Sequence, residues 1–297
     1  MTAPARTAPP STPAAPVGDL PPIDRAPLRR LRRRRALQHL AAVVITLFMG
    51  VPIYLIALAA FSSRESLNDF PKSLLPTDVS AETITAFLGS AGVLPATLNS
   101  LLVGLFTVLL ALLVGAPGGY ALARHGFRGR DTYQLFLLLT RALPIVVLSI
   151  PLAQLFLTAG VYDSVLAVVV VHTALALPTT ILITASIFVS VPRDVEEAAL
   201  LFGCSRIGAF LRVVMPLALP GIAASSIFTF VLSWNEVLAA SVLTLDNRTL
   251  PAQVLTSLRE SPLAYRFAGG FALVVPALVF IFLMRRYLLN MWGSALR

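Results

Sequence analysis

Glu236 is the one charged residue in the run 213–245, in the local sequence Ser233-Trp234-Asn235-Glu236. A carboxylate inside so apolar a stretch is expensive and marks a functional site by default. Trp234 offers an aromatic face for stacking on the ring of a solute, and Asn235 offers both donors and acceptors. His172 interrupts a second uncharged run, 164–192, and Asn99 opens a third, 97–123. These five residues are the candidate lining of a polar path. His172 and Glu236 are also the residue types a proton relay needs. The competing reading has Trp234 and Glu236 holding helices together or lying near an interface, with His172 and Asn99 as hydrogen-bonded packing residues.

Other chemistry is excluded by what is missing. Cys204 is the single cysteine, so there is no disulfide framework or CxxC clip. His39, His125 and His172 are too dispersed to suggest a zinc cluster. Lys72 is the only lysine, and it sits in Phe70-Pro71-Lys72-Ser73 rather than in a Gly-Lys-Ser/Thr phosphate loop. No His-Glu-x-x-His or nucleophile elbow is present, so an integral-membrane enzyme lacks a catalytic constellation, and no cofactor is expected. If the chain uses ATP, a partner hydrolyses it.

The elements that position these residues are set by composition. Of 297 residues, 57% are hydrophobic and 12% charged, with mean hydropathy +0.84. Ordinary soluble domains carry about 25% charged residues, so the solvent of this chain is lipid. A spanning helix needs about 20 mostly apolar residues. Six runs qualify: 40–61, 97–123, 142–162, 164–192, 213–245 and 267–284. Several prolines fall inside the spans, Pro52, Pro117, Pro144, Pro151, Pro178, Pro220 and Pro276 among them. Each removes a backbone hydrogen bond and can bend its helix.

Arginines collect on alternate connections. They precede the first run (Arg25, Arg29, Arg30, Arg32 to Arg35), follow the second (Arg124, Arg128, Arg130, with Arg141 near the following helix), follow the fourth (Arg193, Arg206, Arg212) and follow the sixth (Arg285, Arg286, Arg297). The opposite connections hold Arg64 and Lys72 among four acidic residues, then Asp163 alone, then a segment of mixed charge from Asp246 to Arg266. The positive-inside rule therefore places both termini in the cytoplasm. Residues 1–36 read as a disordered, arginine-rich tail, and 37–297 as one membrane domain. The Arg29–Arg35 cluster is a juxtamembrane anchor for lipid headgroups rather than a nucleic-acid patch. Ala57-Leu58-Ala59 resembles a signal cleavage site, but the apolar run is longer than a signal peptide's and reads as an uncleaved span.

One cytoplasmic connection, about 193–216, is helical but not spanning. Pro192 can start a helix, and Asp194, Glu196 and Glu197 sit in its first turn, where the helix dipole favours carboxylates. Gly203 breaks it, and a second short helix over 205–214 is expected to end at Pro216. Two short helices at a glycine bend form a knob, which is a docking device by geometry.

Here a resemblance becomes specific. Glu197-Ala198-Ala199, then Gly203 after three residues, then Val213, Met215 and Pro216, has the spacing EAA-x3-G-x9-I-x-L-P. That pattern is similar to the EAA loop of ABC importer membrane subunits. Phe202 stands where the family often has an acidic residue. Thr97-Leu98-Asn99-Ser100, Gly119-Tyr120-Ala121-Leu122-Ala123-Arg124, Phe127-Arg128-Gly129-Arg130, Ser233-Trp234-Asn235-Glu236 and Arg286-Tyr287 resemble the MalG-like, carbohydrate-type branch.

The resemblance implies an all-α integral membrane protein of six transmembrane helices with the type I ABC importer permease fold. It implies a non-catalytic subunit in the bacterial plasma membrane, forming half of a sugar or polyol pathway. Its implied partners are an ATPase dimer, a second permease subunit and an extracytoplasmic solute-binding protein, which the outward segment 244–266 would touch. Glu197, Ala198, Ala199, Gly203 and Pro216 would form the dock for the ATPase. The alternative of another class is a secondary transporter using Glu236 and His172 as a proton relay.

Overall fold

The computed structural model describes residues 26–63, 65–71, 73–257 and 261–295, with side chains over 33–256 and 261–285 of these. The tail as far as residue 25, Arg64, Lys72 and Arg297 lie outside the described residues. Among the described residues the chain is helical, apart from a lone antiparallel bridge between Ser62 and Val79. It falls into two units, Met1–Pro52 and Ile53–Arg297.

The first unit is described from the start of α1 (Ala26–Ala60). Helix therefore extends through residues 26–36, which the boundary at residue 36 had assigned to a disordered tail. The local reason is composition: arginine, leucine, alanine and glutamine are good helix formers, and Pro27 falls in the first turn, where proline is tolerated. Large side chains such as Leu47 and Phe48 are exposed along α1, as suits a helix surrounded by lipid.

The second unit holds α2 (Glu82–Leu88), α3 (Val93–Arg124), α4 (Arg130–Thr140), α5 (Ile145–Thr158) and α6 (Val165–Ser190). Then follow α7 (Arg193–Leu201), α8 (Arg206–Ala209), α9 (Met215–Asn235), α10 (Leu238–Leu243), α11 (Leu250–Ser257) and α12 (Leu263–Ala295). Among the described residues of the whole chain, five continuous helices are long and apolar enough to span a membrane, and the bent pair α4–α5, counted as one span, brings the number to six.

The centre of this unit is the α3–α6 pair, its most extensive helix contact. Gly115 and Gly119 let the two backbones approach, as small residues four apart do in membranes. A Cβ on Gly119 would lie 2.2 Å from Thr184 Oγ1 and 2.7 Å from the Ala185 nitrogen. Thr184 Oγ1 donates across the interface to the Gly115 carbonyl at 3.0 Å. Helix α9 packs against both helices, and α12 covers α9, with Phe230 stacked on Phe280 at 3.9 Å between centroids. Six of the seven expected prolines lie inside helices; Pro144 instead precedes α5.

Three expectations are corrected. The third span is broken: α4 and α5 meet at 88°. Pro144 has no N–H to give and disfavours helical geometry at Leu143, so the chain turns there. The fifth span stops at Asn235 instead of running through Glu236, whose backbone is extended (φ −77, ψ 117). Pro216 does not end the helix from Arg206, because α8 passes through a π turn (Phe210–Val214) into α9 as one helix, Arg206–Asn235. In the π turn the Met215 N–H bonds to the Phe210 carbonyl, and that register accommodates a proline in the following turn.

Candidate functional site

Two places gather the polar residues. One is the connection from α6 to α8. Helix α7 ends in a Schellman motif: the Cys204 N–H bonds to the Ala199 carbonyl and the Gly203 N–H to the Leu200 carbonyl, each at 3.0 Å. Gly203 carries the required positive φ of 89°, with open space around it. This explains the fixed interval from Ala199 to Gly203. Ser205 then caps α8, its hydroxyl accepting from the Gly208 N–H at 3.1 Å.

The small residues Ala198 and Ala199 are half-buried, and Glu197 is exposed. The tip of the turn is apolar: Leu201 is 88% exposed and Phe202 91%, with Ile207 beside them. Pro216 lies beyond, at the start of α9.

The acidic residue held by the rest of the chain is Glu196, which the spacing pattern does not single out. Its carboxylate accepts from the Tyr120 hydroxyl and lies 2.9 Å from Arg124 Nε, off the line of the N–H. The two side chains of this ion pair are 6% (Arg124) and 15% (Glu196) exposed. Arg124 also donates to the Val191 carbonyl at 2.8 Å. Tyr120 packs on Phe210, 4.5 Å between centroids, and edge-on to Phe188. The end of α3 is thus tied to α7 through one carboxylate. Position alone separates the two glutamates: neighbours on a helix point about 100° apart.

The second place is the break between α9 and α10. The Glu236 carboxylate accepts from the N–H groups of Leu238, Ala239 and Ala240 at 3.0–3.3 Å, capping α10. Its Oε2 lies 3.2 Å from His172 Nε2. His172 is fully buried, and its Nδ1 lies 2.9 Å from the Ser233 hydroxyl. Of its two readings, Trp234 takes the helix-holding one: it is 3% exposed, stacks on Phe230 and donates from Nε1 to the Leu273 carbonyl. Asn99 donates to the Arg248 carbonyl at 3.2 Å, joining α3 to the α10–α11 loop.

Asn235 and Glu236 line a cavity of 650 Å³ with Thr140, Arg141, Leu143, Ala174, Leu175, Pro178, Leu232, Val237 and Leu238. So the structure brings Asn235, Glu236 and, behind them, His172 together. Trp234 and Asn99 are placed elsewhere. Arg141, which the sequence offers only as a basic residue near the start of the third span, is a further lining residue; its charge interrupting the apolar stretch 132–162 was a visible signal.

Beyond the C-terminal ends of α5 and α10, Asp163 forms a clasp. Its carboxylate accepts from the N–H groups of Leu245, Asp246 and Asn247 at 2.8–3.3 Å. Burial pushes its pKa up, but these three N–H groups and the Arg248 charge outweigh that and hold it below the ordinary 3.8. Among the described residues no group of His, Cys, Asp and Glu could hold a metal ion.

Residues 115–289 match the family described as "Binding-protein-dependent transport system inner membrane component". The chain is 27% identical over 269 residues to the diacetylchitobiose uptake system permease protein DasC of Streptomyces coelicolor, covering 89% of this chain and 97% of that one. It is 28% identical over 254 residues to the trehalose transport system permease protein SugB of Mycobacterium tuberculosis, covering 82% and 92%. Among solved structures, a bacterial ABC transporter involved in import of the acidic polysaccharide alginate matches with a TM-score of 0.67 at 20% identity, covering 86% of this chain and 98% of that one. The fold is that of a type I ABC importer permease. With its membrane helices, its short α7–α8 hairpin and the matched span of 175 residues, from 115 to 289, this chain belongs to the binding-protein-dependent transport system inner membrane component family.

Proposed function

We propose that this chain is one of two permease subunits of an ATP-driven importer for sugars or related polyols. It works with a separate ATPase dimer, a second permease and an extracytoplasmic solute-binding protein, with both termini in the cytoplasm. The observation that carries the reading is the apolar tip of the α7–α8 turn. Leu201, Phe202 and Ile207 lie exposed beside the small residues Ala198 and Ala199, on a connection where arginines mark the cytoplasmic side. Such a tip needs a hydrophobic groove to receive it, and an ATPase subunit supplies one. Glu197, exposed beside it, would pair with a basic or amide group at the rim.

The ion pair between Arg124 and Glu196 makes that dock mechanical, because movement of α7 pulls on the end of α3. The sugar class rests on the names of DasC and SugB. The proton-relay alternative finds no support: His172 and Glu236 are both engaged in holding the α9–α10 break.

The test is co-expression with the neighbouring ATPase and second permease, followed by affinity purification. The wild-type chain retains the ATPase. Phe202→Asp reduces the retained ATPase at least several-fold without loss of the permease pair. Full retention by Phe202→Asp together with Leu201→Asp would overturn the assignment of this tip.

A further inference from the structure

The cavity beside Glu236 has an unusual construction. It is bordered by two backbone breaks, residues 141–144 between α4 and α5 and residues 236–237 between α9 and α10. Its third wall, Ala174, Leu175 and Pro178, lies in the middle of α6, so the cavity sits near mid-membrane. Non-helical backbone at that depth is tolerated where it is buried in protein or lines a water-filled cavity. Discontinuous helices at mid-membrane are where transporters place their solutes.

The charges in the lining are unequal in their commitments. The Glu236 carboxylate is engaged by three backbone N–H groups and by His172. Arg141 is exposed to the cavity, and its guanidinium makes no hydrogen bond or ion pair among the described residues. This lining cation therefore makes no ion-pair contact among the described residues, at a depth where an unpaired charge is costly. Asn235 uses its amide N–H on the Val231 carbonyl, which leaves its oxygen as an acceptor. Leu143, Leu175, Pro178, Leu232 and Leu238 supply apolar walls suited to the C–H faces of a sugar ring. The volume of 650 Å³ falls within the roughly 300–1,000 Å³ of small-molecule sites. Guanidinium matches carboxylate and sulfonate in a two-pronged geometry that ammonium cannot offer.

We propose that Arg141 is this chain's own solute-recognition residue and that the cavity takes an anionic sugar, its carboxylate or sulfonate held by the guanidinium. This rests on the permease reading above and narrows its substrate class.

The test exploits the single cysteine. In a Cys204→Ser background, Leu143→Cys places a thiol in the cavity of the assembled transporter, and Leu175→Cys on α6 provides a second reporter. Labelling rates are measured with sulfonatoethyl (anionic) and trimethylammonioethyl (cationic) methanethiosulfonate. Arg141→Gln is expected to lower the anionic-to-cationic rate ratio about 3- to 10-fold, the range for one charge some 7 Å away in wet surroundings. Glucuronate is expected to slow labelling at concentrations where glucose does not, and Arg141→Gln to abolish that difference. An unchanged ratio at both reporters, or equal effects of the two sugars, overturns the proposal. Failure of ATP-driven uptake with the charge effect intact would instead remove the importer reading and leave the anion site standing.

Discussion

Glu196→Gln should loosen the joint between α3 and α7 while leaving its shape intact. The amide can still accept from Tyr120, so the loss is the charge opposite Arg124, with the pair only 6% and 15% exposed. Breaking a buried ion pair costs about 3–5 kcal/mol, because the surviving charge is left uncompensated. Here Arg124 keeps the Val191 carbonyl at 2.8 Å, which places the loss nearer 2–3 kcal/mol. At about 2–4 °C per kcal/mol for a domain of this size, the melting midpoint of the purified transporter falls by about 4–12 °C. Removing both charges, with Arg124→Leu and Glu196→Leu together, should cost less than either change alone. Differential scanning fluorimetry reads stability, and the ratio of ATP hydrolysed to solute imported reads coupling. A shift below about 1 °C, or a larger effect from Glu197→Gln than from Glu196→Gln, would refute the latch.

The other predictions address separate parts of the fold. Gly119→Ala drives a methyl into Thr184 Oγ1 at 2.2 Å and backbone atoms at 2.7 and 2.9 Å, so thermal melts should show a loss of about 1–3 kcal/mol. Gly203→Val meets no clash but must hold φ +89°, a conformation costing a β-branched residue at least about 1–2 kcal/mol; coupling should fall while insertion of the spans is preserved. Asp163 has a folded pKa below 3.8, so its clasp is at full strength above that value and is lost only as pH falls through the lower folded pKa. Hydrogen exchange at residues 245–247 should therefore be insensitive to Asp163 ionisation between pH 5 and 7, once the intrinsic exchange rate is corrected. Asp163→Asn should raise it throughout that range.

The spans were legible because hydropathy reports depth: the apolar runs, the prolines inside them and the alternation of arginines need no tertiary information. The interval from Ala199 to Gly203 was legible for a local reason, since a Schellman turn is closed by residues adjacent in sequence. Direction was not legible. Hydropathy over 132–162, interrupted at Arg141, does not distinguish a straight span from one bent by 88° between α4 and α5. Nor does a helical period announce that Trp234 points at Phe230 and Leu273 while its neighbour Asn235 points into a cavity. Pro216 read as a stop because an α-helix cannot supply the register that the π turn provides. Glu196 was masked by Glu197, whose place in the motif drew the functional reading. Its partners, Tyr120 and Arg124, lie some seventy residues upstream, where only the packing of α3 against α6 brings them within reach.

The most direct test is uptake of radiolabelled sugars, neutral and acidic, into proteoliposomes. The chain is reconstituted alone or with its second permease, ATPase and binding protein. Accumulation should require ATP inside and the binding protein outside, survive collapse of the proton gradient, and be absent for the chain alone. Uptake by this chain alone, driven by a proton gradient without ATP, would contradict its assignment as an ABC importer permease.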